Sequence, residues 1–187
     1  KDLKECFNNN LGANMERAIF AGGCFWCTEV FFKDIEGVEA VQPGYIGGHI
    51  DNPTYEMICS GTTGHLEAIE IIYDPELISY INLLEVFFDT HDPTQVDGQG
   101  NDLGSQYMSA IYFTNDRQKM ESTNYIKKII SNYNNPIITK LYSEQPFFLA
   151  EEYHKNYFND NRSQPYCQIV IKPKYKKFIN KYNALLK

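Results

Sequence analysis

The segment Ala18-Ile19-Phe20-Ala21-Gly22-Gly23-Cys24-Phe25-Trp26-Cys27 constrains the fold of this chain more than any other. Its first four residues read as a short buried strand, the two glycines let the backbone turn sharply, and the amphipathic run from Phe25 to Ile35 predicts a helix. A strand that passes through a tight turn into a helix commits the chain to a sheet with that helix packed against it. The same turn sets Cys24 at the helix N-terminus, where unpaired N–H groups and aligned peptide dipoles favour the nucleophilic thiolate. Phe25 and Trp26, the latter the only tryptophan of the chain, give the thiol an aromatic setting. The bland reading of Cys24 as a small buried hydrophobe is weaker in this context.

Further along, strands and helices alternate without repeats or low-complexity linkers. A strand is expected over Val38 to Val41, followed by a turn at Pro43-Gly44-Tyr45-Ile46-Gly47-Gly48, and Leu66 to Tyr73 is the clearest strand, ended by Asp74-Pro75. After Ser79, a suitable N-cap, Tyr80, Ile81, Leu84, Phe87, Phe88 and His91 recur at helical spacing until Asp92-Pro93 stops the run. Ser105 to Phe113 reads as a strand, Asp116 to Ser131 as a helix and Ile137 to Thr139 as a short strand. Helical runs near Ala150 to Phe158 and Lys174 to Leu185 complete the order. Such mixing predicts an α+β fold, one sheet covered by helices.

The chain has 187 residues, 43% of them hydrophobic, enough for one sizeable core and short for two. We therefore expect residues 15–187 to form one domain behind a flexible N-terminal extension at residues 1–14. Lys and Arg number 17 against 24 Asp and Glu, and the net charge of −7 argues against nucleic acid or an anionic membrane as partner. No apolar stretch approaches the roughly 20 residues of a membrane span. The five cysteines, at positions 6, 24, 27, 59 and 167, are an odd number without the density of a disulfide scaffold. Cys59 follows an expected helix and is expected to be buried and structural.

Two carboxylates qualify as partners for the thiol. Glu67 alternates with Ile69, Ile71 and Tyr73, so a regular strand points it to an apolar face, where desolvation raises a carboxyl pKa and keeps a proton available for general-acid chemistry. Glu70 is out of phase with that face. Asp102 lies in Gly98-Gln99-Gly100-Asn101-Asp102-Leu103-Gly104, whose glycines suggest constrained backbone beside a site, although aspartate in loops is often only a turn former.

At this point the chain resembles the type A peptide methionine sulfoxide reductases. From Arg17 to about Phe178 it carries in order Gly-Cys-Phe-Trp-Cys at 23–27, Gly-Tyr-Ile-Gly-Gly at 44–48, Asn-Pro-Thr-Tyr at 52–55, Gly-His-Leu-Glu at 64–67, His-Asp-Pro-Thr at 91–94 and Gln-Gly-Asn-Asp at 99–102. The resemblance implies a two-layer, ferredoxin-like α+β domain with a central mixed sheet. It implies reduction of the S epimer of methionine sulfoxide, free or in proteins, to methionine. It assigns the nucleophile to Cys24, the methyl pocket to Phe25 and Trp26, the proton donor to Glu67, and supporting roles to Tyr55, Asp102 and Tyr107. It also implies a Cys24 sulfenic acid resolved as a disulfide by Cys167 on a mobile carboxy-terminal segment, with Cys27 as the alternative. Thioredoxin or another dithiol would then be the reductant, with no metal or organic cofactor.

Two positions depart from the family pattern, Met108 and Gly98 standing where arginine is usual, which leaves the entrance less positive. His154 fits the carboxy-terminal pattern as a structural hydrogen-bonding residue. The rival readings are a thioredoxin-like Cys-x-x-Cys oxidoreductase, an aromatic binding module, and a zinc site built from Cys24, Cys27 and Cys59 with His65 or His91, whose second pair lacks tight ligand spacing. A cytoplasmic monomer is expected, an exported form being the alternative.

Overall fold

The computed structural model describes residues 14–187. Residues 1–13 of the expected extension, Cys6 among them, lie outside the described residues. Strand β1 (Glu16–Ala21) leads through the glycine turn into α1 (Phe25–Phe32), then β2 (Val38–Ile46), α2 (Tyr55–Cys59), β3 (Leu66–Tyr73) and α3 (Tyr80–Thr90). A small hairpin of β4 (Gly98–Gln99) and β5 (Asp102–Leu103) precedes β6 (Ala110–Phe113), α4 (Asp116–Ile129), β7 (Lys140–Ser143) and β8 (Phe147–Leu149). The carboxy-terminal part holds α5 (Tyr157–Asp160) and α6 (Lys172–Tyr182). Among the described residues no helix is long and apolar enough to cross a membrane.

The main sheet has the order β7-β6-β1-β3-β2-β8. β3 lies antiparallel between β1 and β2, so β1-α1-β2 is a split crossover, and β6 flanks β1 antiparallel. β7 joins β6 in parallel, which makes the sheet mixed. These relations form the ferredoxin-like α+β arrangement expected from the sequence.

Burial follows the strand alternation. Phe20, Ile69, Ile71 and Tyr73 face α1 and α3 and enclose the main core with Phe31, Phe32, Leu84 and Phe87, each at most 2% exposed. Full burial of each such side chain contributes about 1.5–3 kcal/mol. Phe20 stacks on Phe87 with ring centroids 4.8 Å apart and so ties β1 to α3. Residues of opposite phase, Ile19, Ala21, Ala68 and Ala110, form a smaller cluster on the other face. There Arg17 donates to Glu70 at 2.9 Å, which accounts for a carboxylate at that position.

Several boundaries differ from the sequence reading. β2 continues through Pro43 and Gly44 to Ile46, where a turn was expected. β8 pairs only with Gly44–Ile46, so Pro43 withholds no donor that β8 requires, and its carbonyl accepts the Ala150 N–H at 2.9 Å. Gly44 is needed for close packing rather than turning, because a Cβ there would lie 2.4 Å from the Phe147 ring. Residues 105–107 form a 3-10 turn, with β6 starting only at Ala110. β7 begins at Lys140, just after the expected strand, and β8 is too short to be read from periodicity. Ile81 is 46% exposed, because the stripe that faces the core runs through Tyr80, Leu84 and Phe87. α1 ends at Phe32, short of Ile35.

The glycine turn after β1 has a steric basis. Gly23 has φ +97°, and a Cβ on it would sit 2.7 Å from Gln99. Gly23→Ala is expected to lower stability by about 1–3 kcal/mol. Urea unfolding of parent and variant with equal midpoints would contradict this account of the turn.

Candidate active site

The antiparallel pairing of β1 with β3 brings the chain leaving β1 beside the start of β3. Cys24, three residues past β1, therefore approaches Glu67, the second residue of β3. Cys24 occupies the N-cap of α1, its carbonyl accepting the Cys27 and Thr28 N–H groups at 3.0 and 3.2 Å. The Phe25 N–H, free at the helix start, donates to Glu67 Oε2 at 3.0 Å. Glu67 is 2% exposed, and burial drives its pKa up to about 8, opposed by the Phe25 N–H and reinforced by the charges of Asp102 and Cys27. The carboxyl is protonated at neutral pH, as its strand phase predicted.

The thiols behave differently from the sequence expectation. Burial pushes the Cys24 thiol well up, with its hydrogen bond to Cys27 and the Glu67 charge acting in the same sense. Cys27 is held below its usual value by that hydrogen bond, against burial and aided by the charge of Lys174. The physical reason is that the Cys24 sulfur is buried and makes no capping hydrogen bond to the helix N–H groups. Cys27 is the more acidic member of the pair.

Phe25 is fully buried, and Trp26 is half-buried, stacked on Tyr157 with centroids 3.8 Å apart and planes 6° from parallel. Tyr55 and Tyr107 are both partly buried against the core. Burial raises each phenol, and among the charges raising both are those of Glu67 and Cys59, so the two hydroxyls remain proton donors. Asp102, on the β4–β5 hairpin, accepts the Tyr166 hydroxyl at 2.6 Å. The expected set Cys24, Cys27, Phe25, Trp26, Tyr55, Glu67, Asp102 and Tyr107 thus converges on one site.

Cys167 is fully buried at the head of a helical run that continues into α6, rather than on an extended tail. Burial pushes its thiol up, and the charge of Cys27 adds to this. Of the two thiols at the helix start, Cys27 is the one whose charge reaches it. Cys59 is exposed at the end of α2, so the expectation of a buried thiol fails. A five-residue helix offers too little surface to cover its last side chain.

Sequence reasoning missed Tyr166 and Glu151. The Tyr166 hydroxyl reaches Cys27 Sγ at 3.7 Å as well as Asp102. Glu151 accepts the Tyr45 hydroxyl and the Tyr55 N–H, both at 3.0 Å, and so anchors α2 to the sheet. Both partners are some hundred positions away, and the only local signals were adjacency to Cys167 and to His154. His154 accepts the Trp26 indole N–H at 3.0 Å, a structural hydrogen bond of the kind expected. His65 and His91, candidates in the zinc reading, spend their ring nitrogens on Gly48 N–H and Ile50 O, and on Phe87 O and Ser109.

A thiol pair on a helix N-terminus, facing a protonated carboxyl within an aromatic wall, is the constellation of a thiol enzyme whose substrate needs a proton as sulfur attacks. The family model "Peptide methionine sulfoxide reductase" matches residues 16–185, and the chain belongs to that family. It is 47% identical over 174 residues to a peptide methionine sulfoxide reductase MsrA of Chromobacterium violaceum, covering 92% of this chain and 99% of that protein. A counterpart from Saccharolobus solfataricus is 45% identical over 165 residues, covering 88% and 93%. Of solved structures, reduced Mxr1 from Saccharomyces cerevisiae superposes with TM-score 0.79 at 29% identity, covering 83% of this chain and 91% of that one. Methionine sulfoxide reductase A of Corynebacterium diphtheriae does so with TM-score 0.73 at 32% identity, covering 81% and 77%.

The raised carboxyl makes a prediction independent of catalysis. An unfolded glutamate loses its proton near pH 4.3, whereas folded Glu67 keeps it to about pH 8. Between those values folding takes up a proton, so this group's contribution to stability falls as pH rises through the window. Glu67→Gln should therefore gain on the parent, by on the order of 3 kcal/mol between about pH 5 and pH 8. Urea unfolding with a difference that does not change with pH would refute the buried neutral carboxyl.

Proposed function

We propose that this chain reduces the S epimer of methionine sulfoxide, in proteins or free, to methionine, with Cys24 as nucleophile and Glu67 as proton donor. The observation that carries the reading is the buried Glu67 carboxyl, kept protonated to about pH 8 beside the Cys24 thiol. A sulfoxide oxygen leaves poorly until protonated, and Glu67 supplies that proton while the Tyr55 and Tyr107 hydroxyls share the developing charge. Phe25 and Trp26 hold the sulfur-bound methyl by apolar contact, so only one epimer directs its oxygen at Glu67. The Cys24 proton passes to Cys27 along their hydrogen bond, and the freed thiolate attacks the substrate sulfur. Methionine departs, and Cys24 is left as a sulfenic acid, two electrons more oxidised than the thiol.

The interaction of the Cys24 and Cys27 thiols favours Cys27 as the first to trap that acid. The Cys27 thiol condenses with Cys24–SOH to a disulfide, releasing water. Cys167 can then exchange onto Cys27, leaving Cys24 reduced and a Cys27–Cys167 disulfide for an external dithiol. Mxr1 of Saccharomyces cerevisiae has also been solved in complex with Trx2, which supports a thioredoxin as that dithiol. The reaction so written needs no metal or organic cofactor. A monomer acting in the cytoplasm suits it, since thiols are kept reduced there.

The reading is tested by a thioredoxin-coupled assay on each epimer of a methionine sulfoxide peptide. Turnover is expected for the S epimer alone, falling at least about a thousandfold in Cys24→Ser and about 10²–10⁴-fold in Glu67→Gln, with the parent rate declining above about pH 8 as Glu67 ionises. Undiminished turnover in Cys24→Ser would end the mechanism. After one turnover without reductant, peptide mapping is expected to give Cys24–Cys27 or Cys27–Cys167, and a product linking only Cys24 to Cys167 would overturn the order of the relay.

A further inference from the structure

His154 is held in one protonation state by its surroundings. Its ring is fully buried, with centroids 5.0 Å from Phe25, 4.5 Å from Tyr55 and 4.1 Å from Tyr153. Nδ1 accepts the Trp26 indole N–H at 3.0 Å, and Nε2 has no partner among the described residues. An indole nitrogen only donates, so Nδ1 must carry a lone pair and Nε2 the single ring proton. Protonation at Nδ1 would set two N–H groups against each other across 3.0 Å and abolish the bond.

We propose that His154 is a positioning residue that latches the Trp26 indole in place only as the neutral imidazole, and releases it when protonated. A face of the Trp26 ring rests on Tyr157, with the Tyr166 ring edge-on at 5.7 Å. The hydrogen bond therefore fixes the direction in which the stacked indole points. The titratable groups around the histidine are Tyr55 from α2 and Tyr153 and Glu151 from its own segment. The phenols are neutral at ordinary pH, Lys155 pairs with Glu152 at 2.8 Å, and the one carboxylate favouring the cation, Glu151, is engaged by Tyr45 and Tyr55. Burial pulls His154 below its ordinary pKa and Glu151 only partly opposes it, so the latch is closed at neutral pH and opens in acid. Its effect on catalysis rests on the proposed role of Trp26 as a wall of the methyl pocket, and would appear in substrate affinity rather than in the chemical step.

Because Trp26 is the only tryptophan, its emission reports the latch without substrate. The experiment titrates emission from about pH 7.5 to about pH 4.5 with folding followed by circular dichroism, and measures KM and kcat over the same range for the parent, His154→Asn and His154→Phe. Asparagine retains an acceptor near Nδ1 and cannot titrate; phenylalanine retains the ring and loses the acceptor. The parent emission maximum should shift to the red with one midpoint below pH 6.5 while the fold persists, and His154→Asn should show no such step. At about pH 7.5, His154→Phe should raise KM about threefold to tenfold with kcat within about twofold, the size of one neutral hydrogen bond. His154→Asn should stay near the parent KM there and lose less affinity in acid. A flat parent emission, or an equal step in His154→Asn, would overturn the latch whatever the kinetics. A step in emission with KM unmoved in the parent and in His154→Phe would sustain the latch and refute the pocket role of Trp26.

Discussion

The hydrogen bond from the Phe25 N–H to the Glu67 carboxyl joins the two elements on which the site depends. The start of a helix must dispose of unpaired N–H groups, and a carboxyl two residues into a core strand must find a partner. Here each need meets the other. The bond fixes α1 against the sheet and holds the Glu67 carboxyl at the helix start beside Cys24. One local pairing therefore joins the acid to the element that carries the nucleophile.

Around that pairing the charges are arranged so that protons stay inside the site. Glu67 and the phenols of Tyr55 and Tyr107 are all kept neutral by burial. Cys27 is the group whose thiolate is favoured, with Lys174 rather than an arginine near Met108 or Gly98 as the cation whose field reaches it. The departures from the family pattern at those two positions leave the expected site residues assembled.

The sequence disclosed the parts of the site that rest on local rules. Strand alternation separates Glu67 from Glu70, and their fates differ as it requires, one buried beside a thiol and the other paired with Arg17. The glycine turn located Cys24 for the same reason. What remained illegible was set by distant packing. Pro43-Gly44 reads as a turn unless the depth of the neighbouring β8 is known, and Cys59 reads as buried unless the shortness of α2 is. Tyr166 and Glu151 act through bonds spanning 64 and about 100 positions, which no local pattern records. The acidity of the two thiols depended on burial and on their contact with each other.

The nucleophile belongs to the first strand–helix pair, yet much of what surrounds it comes from the last quarter of the chain: Glu151 behind Tyr55, His154 at the indole N–H of Trp26, Tyr157 stacked on its ring, and Tyr166 at Cys27. These contacts span between 96 and 139 residues. During synthesis from the amino terminus, Cys24 and Cys27 therefore emerge long before these groups. The sheet can pair strand by strand as it appears, but one side of the cleft stays open until the end of the chain is delivered, so its enclosure is completed last.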